Sequence, residues 1–328
     1  MKNIKIDAAS LNQEFYQISP RILESFPKFR MPVNLYLFKE NIASLQPLYK
    51  KETRLQEEER ENIINLAKEG VVFVSRDDHP IYSKHISKQL DLILVDKNLT
   101  PTEIIDILKL AIPEKILEFY EQPVKPAWEQ LKEDVLVLLE YVRQDPYRLK
   151  GLLKNLFTQT SEDLTKHTYN AGIIGLSILL NMSREFKEKE IIFITLGLFS
   201  YELGFYRIPK FIREKKSNLT PEEQQKLFNH PTTSANIMRK LDIREEPLLN
   251  CHLEHHEFLD GSGYPRKLSG QELSTAGRIC SLANFSAELL AQGIQPIQLI
   301  EVLPSQSKKL DSKAYTGLLN ILTDTFVK

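Results

Sequence analysis

The chain has 328 residues, enough for two domains, and its 42% hydrophobic and 27% charged residues are typical of a globular protein. With 43 Lys+Arg against 44 Asp+Glu, its formal net charge of −1 favours neither a nucleic acid polymer nor an anionic membrane as partner. No apolar run approaches the roughly 20 residues that span a bilayer, and the start of the chain has no signal-peptide pattern. The two cysteines fit no CxxC motif and suit a reducing compartment. We therefore expect a cytoplasmic protein without membrane association.

The first hundred residues predict a small α/β domain. The segment MPVNLYLF, Met31–Phe38, alternates apolar and polar residues and predicts a strand. A helical apolar spacing follows from Leu55 to Ala67 and ends at Gly70. The next segment, GVVFVSRDD, predicts a second strand, with a polar turn over Arg76–Pro80. A strand–helix–strand unit thus opens the chain, within a domain over residues 1–100.

After residue 100 the apolar spacing becomes helical. Thr100, Pro101 and Glu103 form a helix start, with Thr as the N-cap, Pro in the first turn and Glu at the third position. Alternating β-type runs are scarce from there to the end of the chain. We predict a helical linker over 101–140 and an all-α bundle over 141–328, which makes the protein α+β overall.

One short stretch concentrates residues that bind metals. Three of the seven histidines lie in CHLEHHEFLDGSGYP, Cys251–Pro265, where adjacent imidazoles precede acidic residues and a glycine-rich turn. Neutral imidazoles and carboxylates suit iron, manganese or zinc, and they leave positions open for water. The glycines would allow the backbone to approach a bound group closely. The alternative is a surface helix end followed by a polar loop.

The string HHEFLDGSGYP matches the signature of the HD-GYP family at every characteristic position, so this chain resembles that family. Three further segments agree. The helix LTKHTYNAGIIGLSILL is similar to the one that carries the family's first histidine, here His167. The dipeptide His230-Pro231 matches the family's HP, and AGRICSLANFSAELL resembles the helix with the last aspartate ligand. The resemblance covers roughly residues 140–328.

The resemblance implies a helical bundle that holds two or three iron or manganese ions and hydrolyses cyclic di-GMP. It places metal ligands at His167, His230, His255 and His256. It implies that Glu257 and Asp260 orient the histidines. The rest of the signature loop consists of Gly261, Gly263, Tyr264 and Pro265.

Other family positions carry substitutions. In LGLFSYELGFYRIP, Tyr201 replaces the histidine of the HD pair, Glu202 replaces its bridging aspartate, and Phe205 replaces a nearby lysine. Asn284 replaces the last aspartate ligand, and Ser286 a second aspartate.

These substitutions fall mainly on one of the two metal positions. One set of four ligands survives: Glu202, His230, His255 and His256. The companion set keeps only His167 and the shared Glu202. We therefore expect at most one tightly bound transition metal, iron or manganese, with zinc as an alternative.

Two functions follow as expectations. The first is a divergent HD-GYP domain that binds cyclic di-GMP or a protein partner in a signalling pathway, with weak or no hydrolysis. The second is an active metal-dependent cyclic di-GMP phosphodiesterase, because substituting Glu for Asp preserves a carboxylate. A site in which Tyr201 fills the space of a metal is a third reading. His252 is expected to be a packed or exposed histidine rather than an extra ligand.

Overall fold

The computed structural model describes residues 4–5, 14–39, 44–94, 99–158, 163–215 and 217–327. They divide into two compact units, Met1–Ala111 and Ile112–Lys328. The expected linker over 101–140 stays a prediction, because a single helix, Pro101–Glu121, runs across the boundary between the two units. An α/β unit followed by a helical unit confirms the expected α+β fold class.

The first unit contains an antiparallel five-stranded sheet in the order β1-β4-β3-β5-β2. Its strands are β1 (Ile4–Lys5), β2 (Phe15–Gln17), β3 (Leu35–Lys39), β4 (Ser44–Tyr49) and β5 (Val72–Ser75). Its helices are α1 (Pro20–Ser25), α2 (Glu57–Lys68), α3 (His79–Ile86) and the start of α4 (Pro101–Glu121). Phe15, Leu45 and Phe73 form an apolar cluster of the sheet.

Only part of this sheet was predicted from the sequence. The strand expected over 31–38 is confirmed in its second half as β3, and the strand expected from Gly70 is β5. The turn expected over 76–80 is confirmed only in its first part: a 3₁₀ turn, Arg76–Asp78, leads directly into α3, which begins at His79. The strand β4 was missed because it contains Pro47, which lies beside a register shift between Leu35 and Tyr36, where an irregular ladder tolerates proline.

The second unit is helical. From α4 onwards its helices are α5 (Lys125–Gln144), α6 (Pro146–Lys154), α7 (Leu164–Asn181), α8 (Glu188–Leu198), α9 (Leu203–Tyr206), α10 (Lys210–Arg213), α11 (Pro221–Phe228), α12 (His230–Lys240), α13 (Glu246–Glu254), α14 (Thr275–Ala291), α15 (Leu299–Val302) and α16 (Ser312–Phe326). Helix α7 is apolar nearly all round and is almost wholly buried, as expected for the central helix of a bundle.

Two local features place α7 and α8 at the centre of the unit. The Asp163 side chain accepts hydrogen bonds from the backbone N–H groups of Thr165 and Lys166, which starts α7. A Cβ at Gly172 would lie 2.4 Å from a ring carbon of Phe199, so glycine permits the chain after α8 to pack directly on α7. Helix α14 packs on the same central helix.

Candidate metal centre

Three segments bring together the four side chains predicted as one ligand set. Glu202 immediately precedes α9, His230 is the first residue of α12, and His255 and His256 follow α13. Their ligand atoms all lie within 4.8 Å of one another. Glu202, His230 and His255 are buried, whereas His256 is partly exposed. The cluster therefore has a buried side and a side that faces solvent.

The position of Glu202 depends on a close contact between α9 and α12. A Cβ at Gly204 would lie 2.2 Å from the carbonyl oxygen of His230, so only glycine fits there. The backbone N–H of Gly204 donates to Ser234 Oγ at 2.8 Å, and that hydroxyl donates to the carbonyl oxygen of Tyr201 at 2.6 Å. These bonds bring Glu202 Oε2 to 3.4 Å from His230 Nε2.

The rings of His230 and His255 point their Nε2 atoms at each other. His230 Nδ1 lies 2.6 Å from the Leu227 carbonyl oxygen, and His255 Nδ1 lies 2.9 Å from that of His252. A ring nitrogen beside a carbonyl oxygen carries the proton, so both Nε2 atoms keep lone pairs, only 2.8 Å apart. Burial lowers the pKa of His230 to about 4 and that of His255 well below its usual value. Neutral rings cannot relieve this repulsion, whereas a cation bound by both lone pairs can.

Glu202 gives a second, independent indication of a cation. It is only 4% exposed, and its Oε2 has no hydrogen-bond partner among the described residues. The 3.4 Å contact with His230 Nε2 is not a hydrogen bond. Burial, and then the nearby Glu288, raise the pKa of Glu202 to about 8. A buried carboxylate oxygen without a donor is costly unless it binds a cation. Three imidazoles and a carboxylate therefore fit a transition metal.

The residues of the companion metal position form a hydrogen-bond network instead. Asn284 Oδ1 accepts from His167 Nε2 and from the Tyr201 hydroxyl, each at 2.9 Å. Asn284 Nδ2 donates to Glu288 Oε1 at 2.9 Å and lies 3.4 Å from His256 Nδ1. Because an amide oxygen only accepts, His167 Nε2 must carry a proton and is not a free ligand atom. We call the four residues joined by these short bonds, His167, Tyr201, Asn284 and Glu288, the Asn284 network. The groups that donate its hydrogen bonds are all neutral.

Glu288 was not predicted from the sequence. It lies one helical turn after Asn284 on α14 and faces His256 Nδ1 at 3.7 Å. Burial raises the pKa of Glu288 to about 7, although 39% of its side-chain surface remains exposed. The i, i+4 spacing from a predicted ligand position was the signal that could have identified it. A carboxylate therefore lies beside the candidate metal ligands, one helical turn after Asn284.

The signature loop folds back onto the histidines. A Cβ at Gly263 would lie 2.4 Å from the His256 carbonyl oxygen, and the Tyr264 N–H donates to that oxygen at 3.1 Å. The Tyr264 ring then stacks on the His256 ring, with centroids 4.5 Å apart and 21° between the planes. The expectation that the glycines let backbone approach a bound group is therefore wrong for Gly263, which approaches its own chain. Gly261 has a φ of +75°, and Tyr264 joins Pro265 through a cis peptide bond.

Glu257 and Asp260 do not orient the histidines, in contrast to the expectation. The buried Glu257 carboxylate accepts from the backbone N–H groups of Arg266 at 2.6 Å and Leu268 at 3.0 Å. Asp260 accepts from the backbone N–H of Ser262 at 3.0 Å and from its hydroxyl at 2.6 Å. Both carboxylates hold the loop, whereas the carbonyl oxygens of α11 and α13 orient the imidazoles.

The remaining predicted positions are apolar or packed. Phe205 lies edge-on to the His230 ring at 5.3 Å, and Tyr201 tilts against the His255 ring at 4.7 Å. Neither supplies a cationic side chain in place of the family's lysine. His252 is buried beside the Ser200 hydroxyl, with Nε2 3.0 Å from Oγ. It lies outside the cluster of four and is a packed histidine, as expected.

Comparisons with known proteins relate the helical unit to HD-domain proteins. A model of the HD domain matches residues 152–313. The cyclic di-GMP phosphodiesterase PdeB of Borreliella burgdorferi is 28% identical over 164 residues, covering 48% of this chain and 42% of PdeB. A cyclic di-GMP phosphodiesterase of Thermotoga maritima is 27% identical over 200 residues, covering 51% of this chain and 53% of that enzyme. The chain thus spans about half the length of these curated relatives.

The fold comparison extends over both units. The solved structure of Bd1817, an HDG"Y"P protein from Bdellovibrio bacteriovorus, superimposes with a TM-score of 0.63 at 15% identity. The match covers 98% of this chain and 100% of that structure, so the two share a fold. Among the described helices, none has both the length and the apolar character that a membrane span requires.

Proposed function

Because this chain belongs to the HD-GYP family, we propose that its helical unit binds cyclic di-GMP at a single-metal centre and hydrolyses it weakly or not at all. The Asn284 network is the observation that supports this proposal. Efficient two-metal hydrolysis requires protein ligands for two metal ions, because the two ions together stabilise the attacking and the leaving oxygen. Here the residues of the second position are joined by hydrogen bonds between His167, Tyr201, Asn284 and Glu288.

The metal ligands of this proposal are Glu202, His230, His255 and His256. Iron or manganese suits this donor set, with zinc as the alternative, and the ion would supply Lewis-acid polarisation of a phosphodiester oxygen. The chain's own contribution is to hold the His230 and His255 lone pairs towards one point and to keep Glu202 buried beside them. Phe205 provides an apolar wall against His230, with no proton to give to a leaving oxygen.

Isothermal titration of metal-loaded protein with cyclic di-GMP, followed by chromatography for pGpG and GMP, tests the proposal. Binding without product, lost in a His230→Ala variant, supports a receptor. The matched control is His252→Ala, which removes a buried imidazole outside the cluster. Absence of binding by metal-loaded wild type rejects the nucleotide and leaves a protein partner as the function of the unit.

An active cyclic di-GMP phosphodiesterase is the second candidate. Its support is the intact ligand set together with Glu288, a carboxylate next to the position where the family has aspartate. Turnover with Mn²⁺ or Fe²⁺ that disappears in a His255→Ala/His256→Ala double variant would establish this activity. Turnover that persists in the double variant would come from a contaminant or from another site.

A further inference from the structure

An aromatic stack leads from the metal centre to the surface. The Tyr264 ring covers His256 at 4.5 Å, and Phe228 stacks on Tyr264 with centroids 4.6 Å apart and 28° between the planes. Phe228 is 45% exposed, so this ring carries the stack to the solvent-facing side of the site. We define the aromatic platform as the stacked rings of Tyr264 and Phe228.

The platform is held by the same contacts that orient the metal ligands. Phe228 ends α11, and the carbonyl oxygen of the preceding residue, Leu227, accepts from His230 Nδ1 at 2.6 Å. Tyr264 is fixed from the other side by its backbone bond to the His256 carbonyl oxygen at 3.1 Å. The position of the platform is therefore coupled to the histidines, which is the preorganisation that a binding site requires.

Core packing does not account for the position of Phe228. Helix α11, Pro221–Phe228, has no buried residue, and its start is fixed by a Thr220 capping box. With 45% of its surface exposed, the Phe228 ring gains only part of the free energy that full burial would give. A flat aromatic face beside a polar ligand cluster is what base recognition uses, because every nucleobase has a π face and stacks on such a ring.

We infer that the aromatic platform is the nucleobase subsite of this domain, with a guanine of cyclic di-GMP stacked on the outer face of Phe228. The inference rests on the proposed function and names how the same site recognises its ligand. A ribose separates each base from its phosphodiester, and two stacking steps, of 4.5 and 4.6 Å, separate Phe228 from His256. A base on the outer face of Phe228 lies one stacking step further out, so its ribose and phosphodiester extend back along the stack towards the metal centre.

The test compares Phe228→Ala with Phe228→Tyr in the full, metal-loaded chain. Titrations with cyclic di-GMP probe base and phosphodiester together, whereas titrations with inorganic phosphate probe the metal centre alone. Phe228→Ala should weaken cyclic di-GMP binding about tenfold, the lower part of the range for one stacked base, while Phe228→Tyr stays within about twofold. Metal content and phosphate affinity should not change. The matched control, Phe211→Ala, removes another exposed phenyl ring outside the stack and should bind like wild type.

Wild-type affinity for cyclic di-GMP in Phe228→Ala would overturn the assignment of the aromatic platform as the nucleobase subsite and leave the proposed function intact. Loss of metal and phosphate binding in that variant would also overturn it, by showing that Phe228 only supports the metal centre. A metal-loaded wild type that does not bind cyclic di-GMP would overturn the proposed function, and the subsite with it.

Discussion

The substitution Asn284→Asp should make the stability of this protein depend on metal. Asn284 Nδ2 now donates to Glu288 Oε1 at 2.9 Å, and an aspartate would place a carboxylate oxygen there instead. Two unit charges about 3.5 Å apart repel by roughly 5 kcal/mol at an effective dielectric constant of about 20. Solvent reduces this, since 39% of the Glu288 side-chain surface is exposed, and the pair can also take up a proton. We expect a net loss of about 2–3 kcal/mol in metal-free protein at pH 8.

The loss of stability in the Asn284→Asp variant should increase with pH. Burial already raises the pKa of Glu288 to about 7, and a second carboxylate would raise it further. The folded variant then holds a proton that the unfolded chain has lost, so its stability falls as pH rises from 6 to 8. Added Mn²⁺ should reverse the loss, because the two carboxylates become an anionic ligand pair.

Urea unfolding of metal-free and Mn²⁺-loaded protein, at pH 6 and pH 8, measures this prediction. The double variant Asn284→Asp/Glu288→Gln is the matched control, since it removes the repulsion and should unfold like wild type. The combination Asn284→Asp/Tyr201→His should raise the metal content from about one towards two per chain. Metal-free Asn284→Asp with wild-type stability at pH 8 would contradict the reasoning.

Three further predictions follow from the same geometry. Elemental analysis should find about one metal per chain in wild type and close to none in His230→Ala, while Asn284→Ala keeps the wild-type content. Metal-free wild type should lose stability as pH falls from about 6.5 to 4. In that range histidines protonate in the unfolded chain but not when buried, with pKa values of about 4 for His230 and about 3 for His252. The raised pKa values of Glu202 and Glu288 act in the opposite sense, but two carboxyls are outweighed by four histidines whose pKa values burial lowers. Gly263→Ala should destabilise the protein by about 2 kcal/mol or more and lower metal affinity, because its Cβ would meet the His256 carbonyl oxygen at 2.4 Å.

A different result would contradict each of these three predictions. Two metals per wild-type chain would show that the Asn284 network opens to admit a second ion, and a chain that stays metal-free after reconstitution would favour a site filled by packing. Denaturant midpoints that do not change between pH 6.5 and 4 would show that the histidines are accessible to protons. A Gly263→Ala variant with wild-type melting temperature and metal content would show that the loop can shift without moving Tyr264.

The amino-acid sequence by itself determined the parts of the site that depend on local spacing. Adjacent His255 and His256 at a helix end, the glycine turn after them and the His230-Pro231 dipeptide are contiguous patterns, and the structure brings these histidines together with Glu202. The change from strand to helix periodicity near residue 100 likewise follows from local side-chain order, and the α+β fold class was predicted from it.

Tertiary structure alone decided what surrounds those ligands. The hydrogen bond from His167 to Asn284 joins residues 117 positions apart, and it converts a predicted ligand into a donor. Glu288 becomes part of the site because α14 packs on α7, and Phe228 because the signature loop places Tyr264 beneath it. No pattern of neighbouring residues encodes these contacts, since each depends on where distant helices meet. The identity of the metal ligands can therefore be predicted from the sequence. Their protonation, their hydrogen-bond partners and the side of the cluster that faces solvent are set by tertiary packing.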